Sequence, residues 1–159
     1  MKAIETALSL TQAYKLGIER FEKMLGNEFA KAVETMNNSS THIIVCGMGK
    51  SGLVGRKISS TLASTGTPSI FLHPAEAIHG DLGKVQKNSV VLLISYSGET
   101  GEIIALIPAL KRLDVNIIAL TGVKNSTLAN ISDIVLDTSV DREACPLNLA
   151  PTTSTMITM

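Results

Sequence analysis

Apolar residues recur every three or four positions over residues 3–37, which is the spacing of one face of an amphipathic helix. Gly26-Asn27 interrupts this pattern, because neither residue favours the interior of a helix. The sequence therefore predicts two N-terminal helices that meet at the break, and a polar loop over residues 37–40. The apolar positions are Ile4, Leu8, Ala13, Leu16, Phe21, Met24, Leu25, Phe29 and Val33.

From residue 42 onward, short apolar runs alternate with segments of helical character. Runs of this length and composition are typical of buried strands in a parallel sheet. The order predicts a three-layer α/β/α fold with a central, parallel, five-stranded sheet, in which ligands lie at the carboxyl ends of the strands. The predicted strands are His42–Cys46, Ser69–Leu72, Ser89–Ile94, Asn116–Thr121 and Asp133–Leu136, and the predicted helices are Ser51–Ser64, Gly101–Leu113 and a short one near Thr127. Pro108 is expected to bend the second of these helices or to end it early.

Composition narrows the class of protein. A chain of 159 residues fits one domain, and its 45% hydrophobic but only 3% aromatic content indicates an aliphatic core. Fourteen basic residues balance fourteen acidic ones, so no global field attracts nucleic acid or an anionic membrane. The apolar runs are too short to span a membrane, and the two cysteines form no CxxC pair. We expect a soluble, cytoplasmic protein without a structural disulfide.

A glycine-rich turn, Gly47-Met-Gly-Lys-Ser-Gly52, follows the first predicted strand and opens a helix. It matches the dinucleotide pattern GxGxxG literally, but the acidic residue expected at the end of the next strand is missing. A nucleotide P-loop also fails, because Ile44 occupies the position of its first glycine. Two interpretations remain: an anion site made by backbone N–H groups at a helix N-terminus, or a tight turn without a ligand.

The segment Ser95-Tyr-Ser-Gly-Glu-Thr100 stands between a strand and a helix. Hydroxyls, backbone amides and the helix dipole at such a position favour a phosphate dianion without any arginine. An ordinary helix cap needs only one hydroxyl, whereas this segment has three, so a ligand is favoured.

Two further groups of polar residues follow predicted strands. Residues 73–81 form a predicted loop with two histidines, His73 and His79, and two carboxylates, which suit a substrate or a metal. Glu143 follows the last strand and would lie at the edge of the cleft, although position alone favours a solvated loop carboxylate.

Taken together, these segments resemble the SIS (sugar isomerase) domain of bacterial arabinose-5-phosphate isomerases over essentially the whole chain. The matching stretches are GMGKSG (47–52), STGTP (64–68), HPAEAIHGDLG (73–83), SYSGETGEIIALIPALKRL (95–113) and EACPLNLAPTTST (143–155). The resemblance implies the SIS fold, which is Rossmann-like or flavodoxin-like, and interconversion of arabinose 5-phosphate and ribulose 5-phosphate. It also implies a place in the supply of Kdo, a lipopolysaccharide sugar.

The resemblance assigns roles to individual residues. It implies catalytic roles for Lys50, Glu102 and Glu143, no required cofactor, and an inhibitory Zn²⁺ site at His73. Residues that it implies bind substrate are Gly49, Ser51, Gly66, Thr67, His73, His79, Ser95, Ser97, Gly98, Glu99 and Thr100.

The resemblance also bears on domain organisation and assembly. Family members commonly continue into a further helix with a catalytic histidine and a pair of CBS domains. Pro151-Thr-Thr-Ser opens a helix just before Met159, so the expectation is a single SIS domain from a truncated chain. The apolar faces of the two N-terminal helices predict a homo-oligomer, and the resemblance implies a tetramer.

Aldose–ketose isomerisation moves a proton between neighbouring carbons through an enediol or enediolate, and needs a base and a group that stabilises the oxyanion. Glu143 is the expected carbon base, with its pKa raised by shelter in the cleft, and Lys50 the oxyanion partner. Glu102 would be a second acid/base or belong to a neighbouring subunit's site. The alternatives are a non-catalytic phosphosugar-sensing module and an isomerase for another sugar phosphate.

Overall fold

A computed structural model describes residues 2–159. Two helices, α1 (Lys2–Met24) and α2 (Asn27–Asn37), precede the sheet and meet at the predicted break. Helix α1 buries only Gly17 over its 23 residues. Much of the apolar face predicted for these helices therefore stays exposed, including Ile4 at 67% and Leu8 at 63%.

The rest of the chain alternates strands and helices, as the apolar pattern predicts. All five predicted strands form, with ends within one residue of the expected positions. The strands are β1 (Ile43–Gly47), β2 (Ser69–Leu72), β3 (Val90–Ile94), β4 (Asn116–Thr121) and β5 (Ile134–Asp137), and the helices are α3 (Gly49–Ser64), α4 (Pro74–Ile78), α5 (Gly101–Arg112), α6 (Thr127–Ile131) and α7 (Thr153–Thr158).

The five strands form one parallel sheet in the order β2-β1-β3-β4-β5. Strands β1 and β3 are buried along their whole length, which explains their continuous apolar sequences. The chain reverses its direction of travel across the sheet between β1 and β3, and Gly47 pairs with Ile94 there. This switch point is where ligands bind in open α/β sheets.

Helices cover both faces of the sheet, because alternate strand residues point to opposite sides. On one face, Ile44 and Cys46 of β1 pack in a core with α4, α5 and α6. On the other, Ile43 and Val45 pack with residues of α2 and α3, such as Ala32. The expected three-layer α/β/α fold is confirmed.

Two local expectations are wrong. Pro108 neither ends nor shortens α5, because the apolar face around it, Ile103, Leu106 and Leu110, is buried in the core and holds the helix together. Residues 73–81, expected as a loop, contain α4 and the first residue of a 3₁₀ turn over Asp81–Lys84. Pro74 starts α4 at the position where a missing N–H costs nothing.

No helix within residues 2–159 is long and apolar enough to cross a membrane. Both cysteines are free; burial in β1 raises the pKa of Cys46 to about 12, which keeps this thiol protonated.

Candidate active site

The two loops singled out in the sequence lie side by side at the switch point. The glycine-rich turn follows β1 and the hydroxyl-rich loop follows β3, and these strands are neighbours. Each loop leads into a helix of more than two turns, α3 or α5, and neither helix has a side-chain cap. Two helix N-termini therefore bring unpaired backbone N–H groups to one edge of the sheet.

The glycine-rich turn is tight because the backbone at Gly52 lies directly against the backbone at Gly47. A Cβ on Gly52 would lie 2.7 Å from the carbonyl oxygen of Gly47, so a side chain does not fit there. Lys50 is exposed in the first turn of α3, at the positive end of the helix dipole, where a cation is unfavourable. This placement lowers helix stability and points to a role for Lys50 toward a ligand.

The hydroxyl-rich loop is held by its own side chains. Ser95 is only 2% exposed, and its Oγ lies 2.8 Å from Thr100 Oγ1 and accepts the Gly98 N–H at 3.1 Å. Gly98 has φ of +67°, and a Cβ there would overlap Ser126 Oγ, so both conformation and space require glycine. The structure thus uses Ser95 and Gly98 to shape the loop, and their substrate-binding role stays a prediction.

The donors that stay open in this loop are Ser97 and the backbone at the start of α5. Ser97 is exposed, and its Oγ accepts the Glu99 N–H at 3.2 Å while its own hydrogen stays available. Thr100 precedes α5 without capping it, since its hydroxyl is paired with Ser95. An anion at this position would meet hydroxyl and amide donors together with the helix dipole.

Glu143 lies in the loop between β5 and α7, where its carboxylate accepts four hydrogen bonds from Thr152 and Ser154. Burial alone would raise the pKa of Glu143, but these hydrogen bonds together hold it below its ordinary value. The expectation of a raised pKa is therefore wrong, because the sequence did not show that donors 9 and 11 residues away would surround the carboxylate.

Glu143 and Lys50 line the same cavity of about 240 Å³. Ser51 of α3 and Tyr96 of the hydroxyl-rich loop also line it. A cation and an ionised carboxylate facing one small cavity can stabilise an oxyanion and accept a proton from a bound ligand.

Tyr96 connects the hydroxyl-rich loop with the segment that leads to Glu143. Its ring packs on Gly122, where a Cβ would lie 2.6 Å from the ring, and its hydroxyl accepts the Val140 N–H at 3.3 Å. Sequence reasoning missed Tyr96, Thr152 and Ser154. The signal for the last two was a run of hydroxyl residues at the start of α7, close in sequence to Glu143.

Of the predicted site residues, only Lys50, Ser51 and Glu143 line this cavity. Glu102 lies in the first turn of α5 and does not line it, which leaves open its assignment to a neighbouring subunit's site. His73 precedes α4 and His79 follows it; His73 Nδ1 is buried without a hydrogen-bond partner. Among residues 2–159, no three His, Cys, Asp or Glu side chains cluster to hold a metal, and Zn²⁺ binding at His73 stays a prediction.

Gly66 and Thr67 do not line this cavity, and their substrate-binding role stays a prediction. Both come just before β2, at the amino edge of the sheet and opposite the switch point. Gly66 has φ of +92° and the Thr67 N–H donates to the Leu62 carbonyl at 2.9 Å, so this pair terminates α3.

The side chain of Glu99 is engaged at the start of α6, and its substrate-binding role stays a prediction. Its Oε1 accepts the Thr127 N–H at 2.7 Å, at the start of α6. The carboxylate therefore caps α6, a role that favours negative charge, whereas the same charge would repel a phosphate. Gly49, with φ of +56°, and Ser51 do stand at the start of α3 as expected.

Comparison with known proteins adds to this geometry. A family model described as the SIS domain matches residues 36–159. The chain is 54% identical over 135 residues to the arabinose 5-phosphate isomerase KdsD of Pseudomonas aeruginosa, covering 85% of this chain and 41% of that protein. It is 47% identical over 154 residues to the KdsD of Francisella tularensis, covering 93% and 47% respectively. The chain thus spans less than half the length of these curated relatives.

A solved structure shares the fold over nearly the whole chain. An Escherichia coli CFT073 protein in complex with arabinose 5-phosphate superposes with a TM-score of 0.88 at 38% sequence identity. The match covers 98% of this chain and 83% of that one.

Proposed function

The chain belongs to the SIS domain family, and from this premise we propose that it is a sugar-phosphate aldose–ketose isomerase acting on arabinose 5-phosphate and ribulose 5-phosphate. The observation that carries the proposal is the cavity of about 240 Å³ shared by Lys50 and Glu143, beside Tyr96 of the hydroxyl-rich loop. The names of the curated relatives and the sugar phosphate bound to the solved neighbour support this choice of substrate.

The proposed reaction uses these groups in two proton transfers at carbon and one between oxygens. The Glu143 carboxylate takes the proton from the carbon next to the carbonyl, and the carbonyl oxygen becomes an enediolate oxygen stabilised by Lys50. The hydroxyl proton of the neighbouring oxygen then passes to this enediolate oxygen, and Glu143 returns its proton to the former carbonyl carbon, so the new carbonyl forms at the neighbouring carbon and no net proton is gained or lost. Ser97 and the N-terminus of α5 bind the phosphate and fix the sugar in the cavity.

The test is an NMR assay of the chain against a panel of pentose and hexose phosphates. We expect interconversion of arabinose 5-phosphate and ribulose 5-phosphate. Turnover of a different sugar phosphate alone would correct the substrate. Binding without turnover of any member of the panel would favour a phosphosugar-sensing module and overturn the proposed activity.

Ligand binding provides a second arm that does not depend on turnover. Arabinose 5-phosphate should raise the midpoint temperature of thermal unfolding, whereas unphosphorylated arabinose should not. The reason is that contacts between the phosphate and the hydroxyl-rich loop supply most of the affinity. Ser97→Ala should reduce this shift, and the matched change Ser60→Ala at an exposed position of α3 should leave it intact. Equal protection by free arabinose would contradict the phosphate assignment.

The proposal extends to how the chain assembles and where in the cell it acts. The exposed apolar residues of α1 and α2 support self-association, and the family resemblance favours a homotetramer. We also propose that the protein is cytoplasmic and contributes to lipopolysaccharide synthesis through Kdo.

A further inference from the structure

The carboxylate of Glu143 is held by more donors than a loop residue needs. It accepts hydrogen bonds from the Thr152 N–H at 2.7 Å, the Thr152 hydroxyl at 3.0 Å and the Ser154 N–H at 3.2 Å. The Ser154 hydroxyl donates the fourth, to Oε1, whereas the other three go to Oε2. Both carboxylate oxygens are therefore engaged.

The surrounding backbone is fixed by the same short segment. The Ala144 N–H donates to Thr153 Oγ1 at 3.0 Å, and the Cys145 N–H donates to Thr152 Oγ1 at 3.2 Å. Three consecutive hydroxyl residues thus hold three consecutive residues beginning at Glu143. The Ser154 hydroxyl binds the carboxylate and no backbone N–H, whereas the Thr152 hydroxyl binds both, and Ser154 is only 3% exposed.

We propose that Ser154, assisted by Thr152, is a positioning residue that holds the Glu143 carboxylate ionised and in one orientation at the cavity it shares with Lys50. The inference rests on the proposed isomerase function and adds residues to its site. Abstraction of a proton from carbon requires the base within a narrow range of distance and angle, and two hydroxyls and two amides provide that restraint. The same donors make the carboxylate a weaker base, so the arrangement favours geometry over basicity.

Charged groups around Glu143 also bear on its ionisation. Two ion pairs are close to neutral as units: Arg20 with Asp141 at 2.6 Å and Lys124 with Asp137 at 3.2 Å. Glu143 lines a second cavity as well as the one that it shares with Lys50. The other charged residues that line these two cavities are Lys50, Lys23, Arg142 and Glu19. A Ser154 substitution leaves all of these in place, so its effect isolates the hydroxyl.

The first experiment compares kinetics of Ser154→Ala, Ser154→Thr and the parent. We expect kcat of Ser154→Ala to fall by about 10²-fold, the typical cost of a misplaced catalytic group, with KM changed by less than about 3-fold. Ser154→Thr, which keeps the hydroxyl, should recover most of kcat. Ser59→Ala is the matched control, because Ser59 is also buried and hydrogen-bonded, to Ser69. An unchanged kcat in Ser154→Ala, or an equal fall in Ser59→Ala, would overturn the proposal.

The second experiment needs no substrate and separates this inference from the proposed function. The side-chain carboxyl of Glu143 is titrated by carbon-detected NMR in the free parent, Ser154→Ala and Ser59→Ala. We expect the titration to move to higher pH in Ser154→Ala only. If it does not move, the positioning role is wrong even in an active isomerase. If no sugar phosphate is turned over but the titration moves, the isomerase proposal fails and the restraint on Glu143 stands.

A folding defect in Ser154→Ala would not end the test. Thr152→Val removes the other side-chain donor to Glu143 and carries the same two expectations, because it too leaves the carboxylate with one of its two hydroxyl donors. A parent-like titration in this variant would contradict the proposal.

Discussion

At the scale of single residues, Glu143 is the side chain on which the proposed chemistry depends. Its burial favours the neutral acid, whereas its hydrogen bonds from Thr152 and Ser154 favour the anion, and the hydrogen bonds prevail. The residue is therefore ready to accept a proton at neutral pH, without the raised pKa that many general bases show.

Glu143→Gln should lower turnover of the isomerised sugar phosphate by roughly 10²–10⁴-fold, the usual worth of a general base, while phosphosugar binding survives. Glutamine keeps the shape but cannot accept the carbon-bound proton. The assay follows turnover by NMR together with solvent deuterium entering the sugar at C1 or C2. Glu34→Gln, at an exposed carboxylate of α2, is the control. Near-parent turnover with continued exchange would direct attention to Glu102.

The depressed pKa of Glu143 also predicts a stability that depends on pH. A carboxyl whose pKa is lower in the folded than in the unfolded state stabilises the fold above the unfolded pKa, near 4.3 for glutamate. That contribution is lost as pH falls through the folded pKa. The difference in unfolding free energy between parent and Glu143→Gln should therefore be largest near pH 7 and shrink below about pH 4. Denaturant unfolding at several pH values measures it, and a constant difference would contradict the assignment.

At the scale of elements, the position of Glu143 depends on how α7 packs against α1. Gly17 of α1 is buried at this crossing, and a Cβ there would lie 2.6 Å from Thr153 Cγ2. Thr153 in turn accepts the Ala144 N–H, next to Glu143. Helix α1, at the N-terminal end of the sequence, thus supports the backbone next to Glu143 through its contact with Thr153.

Gly17→Ala should lower the unfolding free energy by about 1 kcal/mol, because overpacking costs about 1–3 kcal/mol and the gain in helix propensity offsets part of it. It should also reduce turnover, since Thr153 cannot move away without losing the hydrogen bond that it accepts from the Ala144 N–H. The matched control is Gly83→Ala, where an added Cβ meets nothing within 4 Å. Denaturant melts and the isomerase assay measure both effects. A Gly17→Ala protein as stable and active as the control would show that the crossing tolerates the methyl group.

At the scale of the whole molecule, the largest unexplained feature is the exposed apolar surface of α1 and α2. Large hydrophobic side chains are exposed along both helices, although monomeric proteins rarely leave such contiguous patches uncovered. They are Ile4, Leu8, Leu16, Ile18, Leu25, Phe29 and Val33.

We therefore expect sedimentation at micromolar concentration to show an oligomer, and Leu8→Glu to shift it toward smaller species by placing a charge in the contact. Ser60→Glu adds the same charge on α3 and should leave the assembly unchanged. A stable monomer of the parent at this concentration would show that the patch has no self-association role.

The type and order of the elements could be predicted from the sequence because they rest on local patterns. The period of apolar residues gave α1 and α2, and runs such as Val90–Ile94 gave the strands, since burial on both faces makes a strand continuously apolar. The helical content of residues 73–84 escaped prediction, because α4 is too short to show a period. The expectation of an early helix end at Pro108 was wrong because the cost of a proline inside a helix is local. The burial of α5, by contrast, depends on how the helix packs against the rest of the domain.

The sequence by itself also located the two loops that flank the candidate site, because glycine and hydroxyl spacing at the end of a strand is a local signal. Only the tertiary structure decided what each residue in them does. Ser95 turns inward to Thr100, Glu99 caps α6, and Glu143 is surrounded by Thr152 and Ser154. Strand order and these contacts depend on which distant segments meet when the sheet and helices pack. Burial and hydrogen-bond geometry therefore set the ionisation of Glu143, which composition and spacing along the chain do not encode.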